Sequence, residues 1–151
     1  MRKKPLLTIS MLCSGRAETK KTLDSLNTLR ERVPCELILV DTGCGKEMKE
    51  LISSYADEVI PFIWCDDFAK ARNAGLEKAR GEWFMFLDDD ECFMDTQAIE
   101  IFFLTGEYKK YGSAAYIMRN YKDERKTVYD DSYLGRMTSL AVGCNVYGHY
   151  P

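Results

Sequence analysis

The chain has 151 residues, 46% of them hydrophobic and 12% aromatic, which is enough for one substantial core and predicts a single domain over residues 1–151. Its 21 Lys and Arg stand against 24 Asp and Glu, and the formal net charge of -3 excludes the basic footprint of a nucleic-acid binder or of a protein held on anionic lipid by charge. No apolar run approaches the roughly 20 residues of a membrane-spanning helix, so the chain reads as soluble.

The start, MRKKPLLTISMLCSG, pairs basic residues with a short apolar run, but Thr8 and Ser10 interrupt that run. The alternation predicts a first strand over Leu6 to Leu12 rather than a secretory segment. After Gly15, Leu23, Leu26, Leu29 and Val33 recur at spacings of three and four, the mark of an amphipathic helix, and Pro34 stops it. Glu36 to Asp41 is apolar without alternation, as a parallel strand covered on both faces requires, and Gly43 and Gly45 make the turn that follows.

Met48, Leu51, Ile52 and Tyr55 mark a second helix, and Glu58 to Ile63 a short strand whose Pro61 places it at an edge or makes it irregular. A third helix is predicted over about Phe68 to Ala79, ended by Gly81, and Glu82 to Leu87 gives the fourth strand. Ile99, Phe102 and Phe103 suggest one more helix. Beyond Gly112 the pattern turns β-rich, with segments at Ala114 to Arg119, Lys126 to Tyr129 and about Met137 to Val142 that should pair antiparallel or extend the sheet. Strand and helix in strict alternation predict an open α/β sheet, in which ligands bind beyond the carboxyl ends of the strands. Trp64 and Trp83 read as core residues, with a place beside a ligand pocket left open for Trp64.

The most concentrated charge is the run Asp88-Asp89-Asp90-Glu91, directly after the apolar fourth strand. Strand residues two apart point the same way, so Asp88 and Asp90 can face one ligand while Asp89 turns elsewhere. Two such carboxylates suit a hard divalent cation, Mg²⁺ or Mn²⁺, which takes one or two protein carboxylates together with phosphate oxygens. The plainer alternative is a solvated acidic loop preceding a helix that begins near Thr96. The six cysteines form no C-x-x-C pair and read as free thiols in a reducing cytoplasm, with no zinc site.

From Phe62 the chain runs FIWCDDFAKARNAGLEKARGEWFMFLDDDE. This resembles the family 2 glycosyltransferases of the GT-A fold, especially bacterial members with F-x-W-x-D-D-F-A-x-A-R-N, then G-x-W before a strand, then L-D-x-D-E. Phe62, Trp64, Asp66, Asp67, Phe68, Ala71, Arg72, Asn73, Gly81, Trp83, Asp88, Asp90 and Glu91 match, as does LVDTG at Leu39 to Gly43. The resemblance implies a Rossmann-like, mostly parallel sheet flanked by helices with a β-rich C-terminal part.

It also implies transfer, with inversion, of a sugar from a nucleotide diphosphate sugar, a UDP-sugar being the expected donor, to a saccharide, lipid-linked or protein acceptor, assisted by Mn²⁺ or Mg²⁺. Asp41 would contact the base or ribose, Arg72 and Asn73 would lie near the base, Asp88 would sit against the ribose or the cation's waters, and Asp90 would ligate the cation. The implied location is cytoplasmic, or peripheral at the inner face of the membrane.

Structural roles remain open for the same residues. Arg72 can pair with Asp66 or Asp67, Asn73 can satisfy a backbone group, and Asp41 can form an Asx turn before Gly43. Two features depart from the family pattern: Cys13-Ser14-Gly15-Arg16 replaces its Asn-containing turn, and YGHYP stands where many relatives have Gly-x-x-His-Glu. His149 therefore reads as an ordinary surface or packing residue, and the short chain leaves open that part of the acceptor side is missing. A phosphatase of the haloacid-dehalogenase type would carry D-x-D on its first strand, not its fourth. GCGK at Gly43 to Lys46 lacks the upstream Gly and the Ser or Thr of a P-loop. A non-catalytic module that only binds a nucleotide sugar is the further alternative.

Overall fold

The computed structural model of the chain describes residues 3–142. Strand β1 (Leu7–Cys13) is followed by two short helices, α1 (Thr19–Asp24) and α2 (Asn27–Arg32), then β2 (Cys35–Asp41), α3 (Lys46–Tyr55), β3 (Glu58–Pro61), α4 (Phe68–Lys78), β4 (Trp83–Asp88) and α5 (Gln97–Leu104). A 3-10 turn, Glu107–Lys110, leads into a hairpin of β5 (Ser113–Tyr121) and β6 (Tyr129–Ser139), and a second, Leu140–Val142, closes the described chain. The strands form one six-stranded sheet in the order β3-β2-β1-β4-β6-β5. The first four are parallel, β6 lies antiparallel to β4, and β5 antiparallel to β6. The predicted α/β sheet with a β-rich C-terminal part is thus observed, with β3 at an edge. Among the described residues no helix is long and apolar enough to cross a membrane.

Every residue of β1 is buried, so both faces of the sheet must be covered there. Leu7, Ile9, Met11 and Cys13 join the main core with Leu37 and Leu39 of β2, Leu23 of α1, Leu26 just before α2, Leu29 of α2, and Phe103 of α5. The alternate residues face α4: Leu12 and Val40 cluster with Ala71, with Phe62 packed against them. Small residues let α4 come this close, since a Cβ on Gly75 would stand 2.2 Å from the Ser10 hydroxyl oxygen. Trp83 is core as expected, its ring meeting Phe102 and Phe103 edge-on at 5.2 and 6.0 Å, and burial of a ring this size contributes about 2–3 kcal/mol. Trp64, in contrast, is exposed. It sits on the loop before α4, where its indole N–H donates to Asp66 at 3.0 Å.

Three local expectations are corrected. The helix after Gly15 is two helices, because the Ser25 hydroxyl donates to the Thr22 carbonyl at 2.6 Å and accepts from the Phe93 amide at 3.1 Å, tightening the backbone between them. The leucine spacing survives the break. The β segments after Gly112 are two long strands rather than three, and residues 140–142 are a 3-10 turn. Gly81 does not cap α4, which ends at Lys78 with Ala79 extended. Glycine is required there because a Cβ would lie 2.6 Å from the Thr8 amide nitrogen, which is backbone and cannot give way. The YGHYP segment lies outside the described residues.

Gly81→Ala is therefore expected to destabilise the fold by about 2 kcal/mol, the usual size of an overpacking defect, as read from urea denaturation. A midpoint equal to that of the parent would show that β1 and the Gly81 turn can move apart freely.

Candidate functional site

Strand register assembles the site. On one side of β1, Cys13 is paired with Asp41, the last residue of β2, and on the other, Leu12 is paired with Asp88, the last residue of β4. Two acids far apart in sequence thus flank the central strand at the carboxyl rim of the sheet. β4 stops at Asp88, and a turn closed by the Glu91 amide donating to the Asp88 carbonyl at 3.1 Å carries the chain away. Strand alternation accordingly does not extend to Asp90, and each of the four acids has its own surroundings.

Asp89 points inward. It is 5% exposed, and its Oδ2 accepts from the Ser14 amide at 2.8 Å and the Ser14 hydroxyl at 3.0 Å, while Thr22 Oγ1 donates to its carbonyl at 3.2 Å. Arg16 Nε approaches its other oxygen at 3.3 Å. Asp90 is partly exposed and accepts from Arg16 Nη1 at 2.7 Å. Asp88 meets Nη2 of Arg72 at 3.2 Å and Nη2 of Arg136 at 3.8 Å. Glu91 accepts from Arg136 Nη2 at 2.7 Å with one oxygen and from the Asp88 amide at 3.1 Å with the other.

The two arginines on Asp88 come from opposite parts of the chain, Arg72 from α4 and Arg136 from β6. Their guanidinium carbons both lie 4.5 Å from the centre of the Phe86 ring, and Arg72 is also 5.8 Å from that of Phe68. Arg72 therefore pairs with Asp88 rather than with Asp66, which receives the Trp64 indole, or Asp67, which caps α4 by accepting from the Lys70 amide at 3.1 Å. Among the described residues, the buried Nε of Arg72 and Oη of Tyr116 meet no hydrogen-bond partner. Burial, with the nearby Asp88 and Asp90 carboxylates, holds the Glu91 carboxyl above its ordinary range against the opposing pull of the Asp88 amide and Arg136. Burial and the charge of Glu91 push the Tyr116 phenol up in turn.

Asp41 forms the Asx turn: its Oδ1 accepts from the Gly43 amide at 3.0 Å and the Cys44 amide at 2.7 Å. Burial alone would raise its carboxyl, but these amides and Lys49, 3.8 Å away, leave it below the usual carboxylate range. It stays ionised at neutral pH. Asn73 follows Arg72 on α4 and is half-buried. Structure brings Asp41, Arg72 and Asp88 to one rim with Asp90 on the adjoining turn, and it adds Arg16, Glu91 and Arg136, to which sequence reasoning gave no role. Arg136 could not have been found from sequence, since its place follows from the register of β6 on β4. Arg16 carried one signal, a basic residue on the turn after β1.

No group of three His, Cys, Asp or Glu among the described residues converges as a ready cation cage. Asp88 and Asp90 are nevertheless hard oxygen donors with side chains 38% and 42% exposed, on one turn. That donor set fits a cation that takes one or two carboxylates and completes its shell from phosphate and water.

Residues 13–138 match the family described as Glycosyl transferase family 2. The chain belongs to this family. Over 81 residues it is 38% identical to an uncharacterized glycosyltransferase of Haemophilus influenzae, covering 52% of this chain and 27% of that protein. A TPR repeat-containing protein of Synechococcus elongatus is 30% identical over 83 residues, 55% of this chain and 20% of that protein. Among solved structures, the family 2 chain superposes on S. aureus TarS 1-349 with a TM-score of 0.52 at 17% identity, covering 72% of this chain and 34% of the other. For the mannosyltransferase PcManGT of Pyrobaculum calidifontis, in complex with GDP-Man and Mn²⁺, the TM-score is 0.53 at 18% identity, covering 65% and 31%. These neighbours give the family 2 chain the GT-A fold. It spans about a quarter of the length of the curated relatives it matches and a third of these structures.

The brace of Glu91 by Arg136 makes a prediction. Arg136→Ala leaves a largely buried carboxylate without its cation and should cost about 2 kcal/mol near neutral pH. Without Arg136 the Glu91 carboxyl rises further above its unfolded value, so the folded state binds its proton more tightly. Stability relative to the parent should then be least affected at about pH 4 and fall over the range from there to neutrality, above the ordinary glutamate value, because Glu91 is already raised in the parent. Denaturation curves at both ends of that range check it, and a loss that is independent of pH would detach Arg136 from Glu91.

Proposed function

We propose that this domain binds a nucleotide diphosphate sugar at the carboxyl rim of its sheet and transfers the glycosyl group to an acceptor with inversion. The observation that carries the reading is the placement of Asp41 and Asp88 on either side of β1, with Asp90 on the turn that leaves β4. Open α/β sheets bind ligands at this rim. Membership in glycosyl transferase family 2 supports the reaction class. Support for the ligand class comes from two structures of like fold, PcManGT with GDP-Man and Mn²⁺ and TarS 1-349 with UDP-GlcNAc.

In this reading Asp90, helped by Asp88, would hold Mn²⁺ or Mg²⁺, which when bound would supply stabilisation of the charge on a departing diphosphate. The remaining work falls to the chain's own groups. Asp41, kept ionised by its two amides, directs an acceptor oxygen toward the base or ribose. Arg72 and Asn73 border the base from α4, with Arg72 held in place by its stacking on Phe86 and its bond to Asp88. Glu91 and Arg136 fix the turn so that the acid pair does not relax as charge arrives. The acceptor is a saccharide, a lipid-linked group or a protein.

Calorimetric titration of UDP and GDP with and without Mn²⁺ tests the reading, followed by hydrolysis and transfer assays on the matching nucleotide sugars. Asp90→Ala is expected to abolish Mn²⁺-dependent nucleotide binding while leaving the melting temperature nearly unchanged, because its exposed ion pair with Arg16 is worth at most about 1 kcal/mol. Unchanged binding by the variant would refute the cation assignment. Binding by the parent without hydrolysis or transfer across a broad acceptor panel would make the domain a nucleotide-sugar-binding module instead of an enzyme.

A further inference from the structure

We propose that Arg16 is a phosphate-contacting residue of the donor site that occupies Asp90 in the cation's place until the cation arrives. The inference rests on the reading above, in which Asp90 and Asp88 hold the cation. Its geometry is built from the turn after β1. Asp89 is buried and gripped by both the amide and the hydroxyl of Ser14, so the first residue of that turn is fixed to the turn that follows β4. Gly15 then takes a left-handed φ of 92°, which reverses the chain and brings Arg16 back over the acids.

The guanidinium is held unequally. Its Nε faces immobile Asp89 at 3.3 Å, and its Nη1 bonds the more exposed Asp90 at 2.7 Å. With the Arg16 side chain 55% exposed, the second contact is a solvent-screened ion pair that a divalent ion displaces at little cost. The contact to Asp89 stays, because that carboxylate has nowhere to go. Once a cation sits on Asp90, a permanently charged guanidinium and a divalent ion are neighbours, and the pair repels until an anion lies between them. A diphosphate fits this role: it offers oxygens to both, and the planar N–H fork of Arg16 matches two phosphate oxygens at once. Arg16 thus competes with the cation when alone and cooperates with it when the nucleotide is bound.

The two roles give effects of opposite sign, which a merely structural residue would not. By calorimetry, Arg16→Ala should bind Mn²⁺ alone about threefold more tightly, since a competing and repelling charge is removed. At saturating Mn²⁺ the same variant should bind UDP or GDP about tenfold more weakly, the loss expected for one charge-assisted contact. Arg16→Lys keeps the charge without the fork and should fall between parent and alanine variant in nucleotide affinity. If both affinities fall together, Arg16 only props the turn, and if neither changes, it is a surface ion pair; either result overturns the proposal. Should the parent bind neither Mn²⁺ nor the nucleotides, the acid-pair reading itself fails and takes the proposal with it. Loss of binding in Asp90→Ala alongside unchanged affinities in Arg16→Ala would leave that reading standing and remove only Arg16.

Discussion

The end of β4 places four carboxylates in consecutive positions beside a buried strand, and the rest of the site follows from how that charge is balanced. A carboxylate near low-dielectric protein costs several kcal/mol if it has no partner, so the turn can persist only where cations and amides are brought to it. Three arginines supply the charge: Arg16 from the turn after β1, Arg72 from α4 and Arg136 from β6. Each belongs to a segment remote in sequence from the others. Docking of the β5–β6 hairpin, closure of the β1 turn and seating of α4 therefore converge on one electrostatic requirement.

The balance is not uniform, and the differences sort the acids by what they can do. Asp89 is satisfied by backbone and hydroxyl donors and is buried, so it serves as an anchor. Glu91 divides its oxygens between an arginine and the Asp88 amide, which stiffens the turn. Asp88 and Asp90 are the two whose partners are side-chain guanidiniums at a partly open rim. Arg16 on Asp90 is held by an exposed, rotatable chain and can be exchanged for another cation without breaking the turn, whereas Arg72 and Arg136 on Asp88 are largely buried against Phe86. On the proposed reading the rim takes up and releases a charged ligand, which needs fixed and exchangeable contacts on different residues, and here the exchangeable contact falls on Asp90 between the fixed Asp89 and Glu91.

Much of the fold was legible because burial on both faces leaves a plain mark. The unbroken apolar run between Glu36 and Asp41 and the matching run before Asp88 suit parallel strands covered on both faces, and Pro61 marked β3 as an edge or irregular strand. Leucines at spacings of three and four identified the covering helix surface even where Ser25 divides it in two. What stayed hidden depended on contacts across the sequence. The period-2 rule, extended into Asp88 and Asp90, assumed the strand continued, whereas the Asp88 carbonyl is taken by the Glu91 amide and the chain turns. Arg136 was invisible because nothing in β6 states its register on β4. Trp64 read as core by its chemistry, yet the left-handed turn at Asp66 holds it on the surface.

The segment with the most specific sequence pattern, DDFAKARNAG, is also the one whose spacing has a direct physical meaning. Asp67 caps α4, which fixes the helix start and therefore the angular position of every residue after it. Phe68 and Arg72 stand four apart and share a face, so the guanidinium can lie over the Phe68 ring while reaching Asp88. Ala71 and Gly75 turn toward β1 and β2, where anything larger than glycine at Gly75 would strike Ser10. Shifting the cap by one residue would rotate Arg72 off the rim by about 100° and drive a larger side chain into the sheet. The order of cap, aromatic, small residue and arginine is thus a set of distances written in helical turns, and it explains how so short a motif can specify both the packing of α4 and the position of one charge at the site.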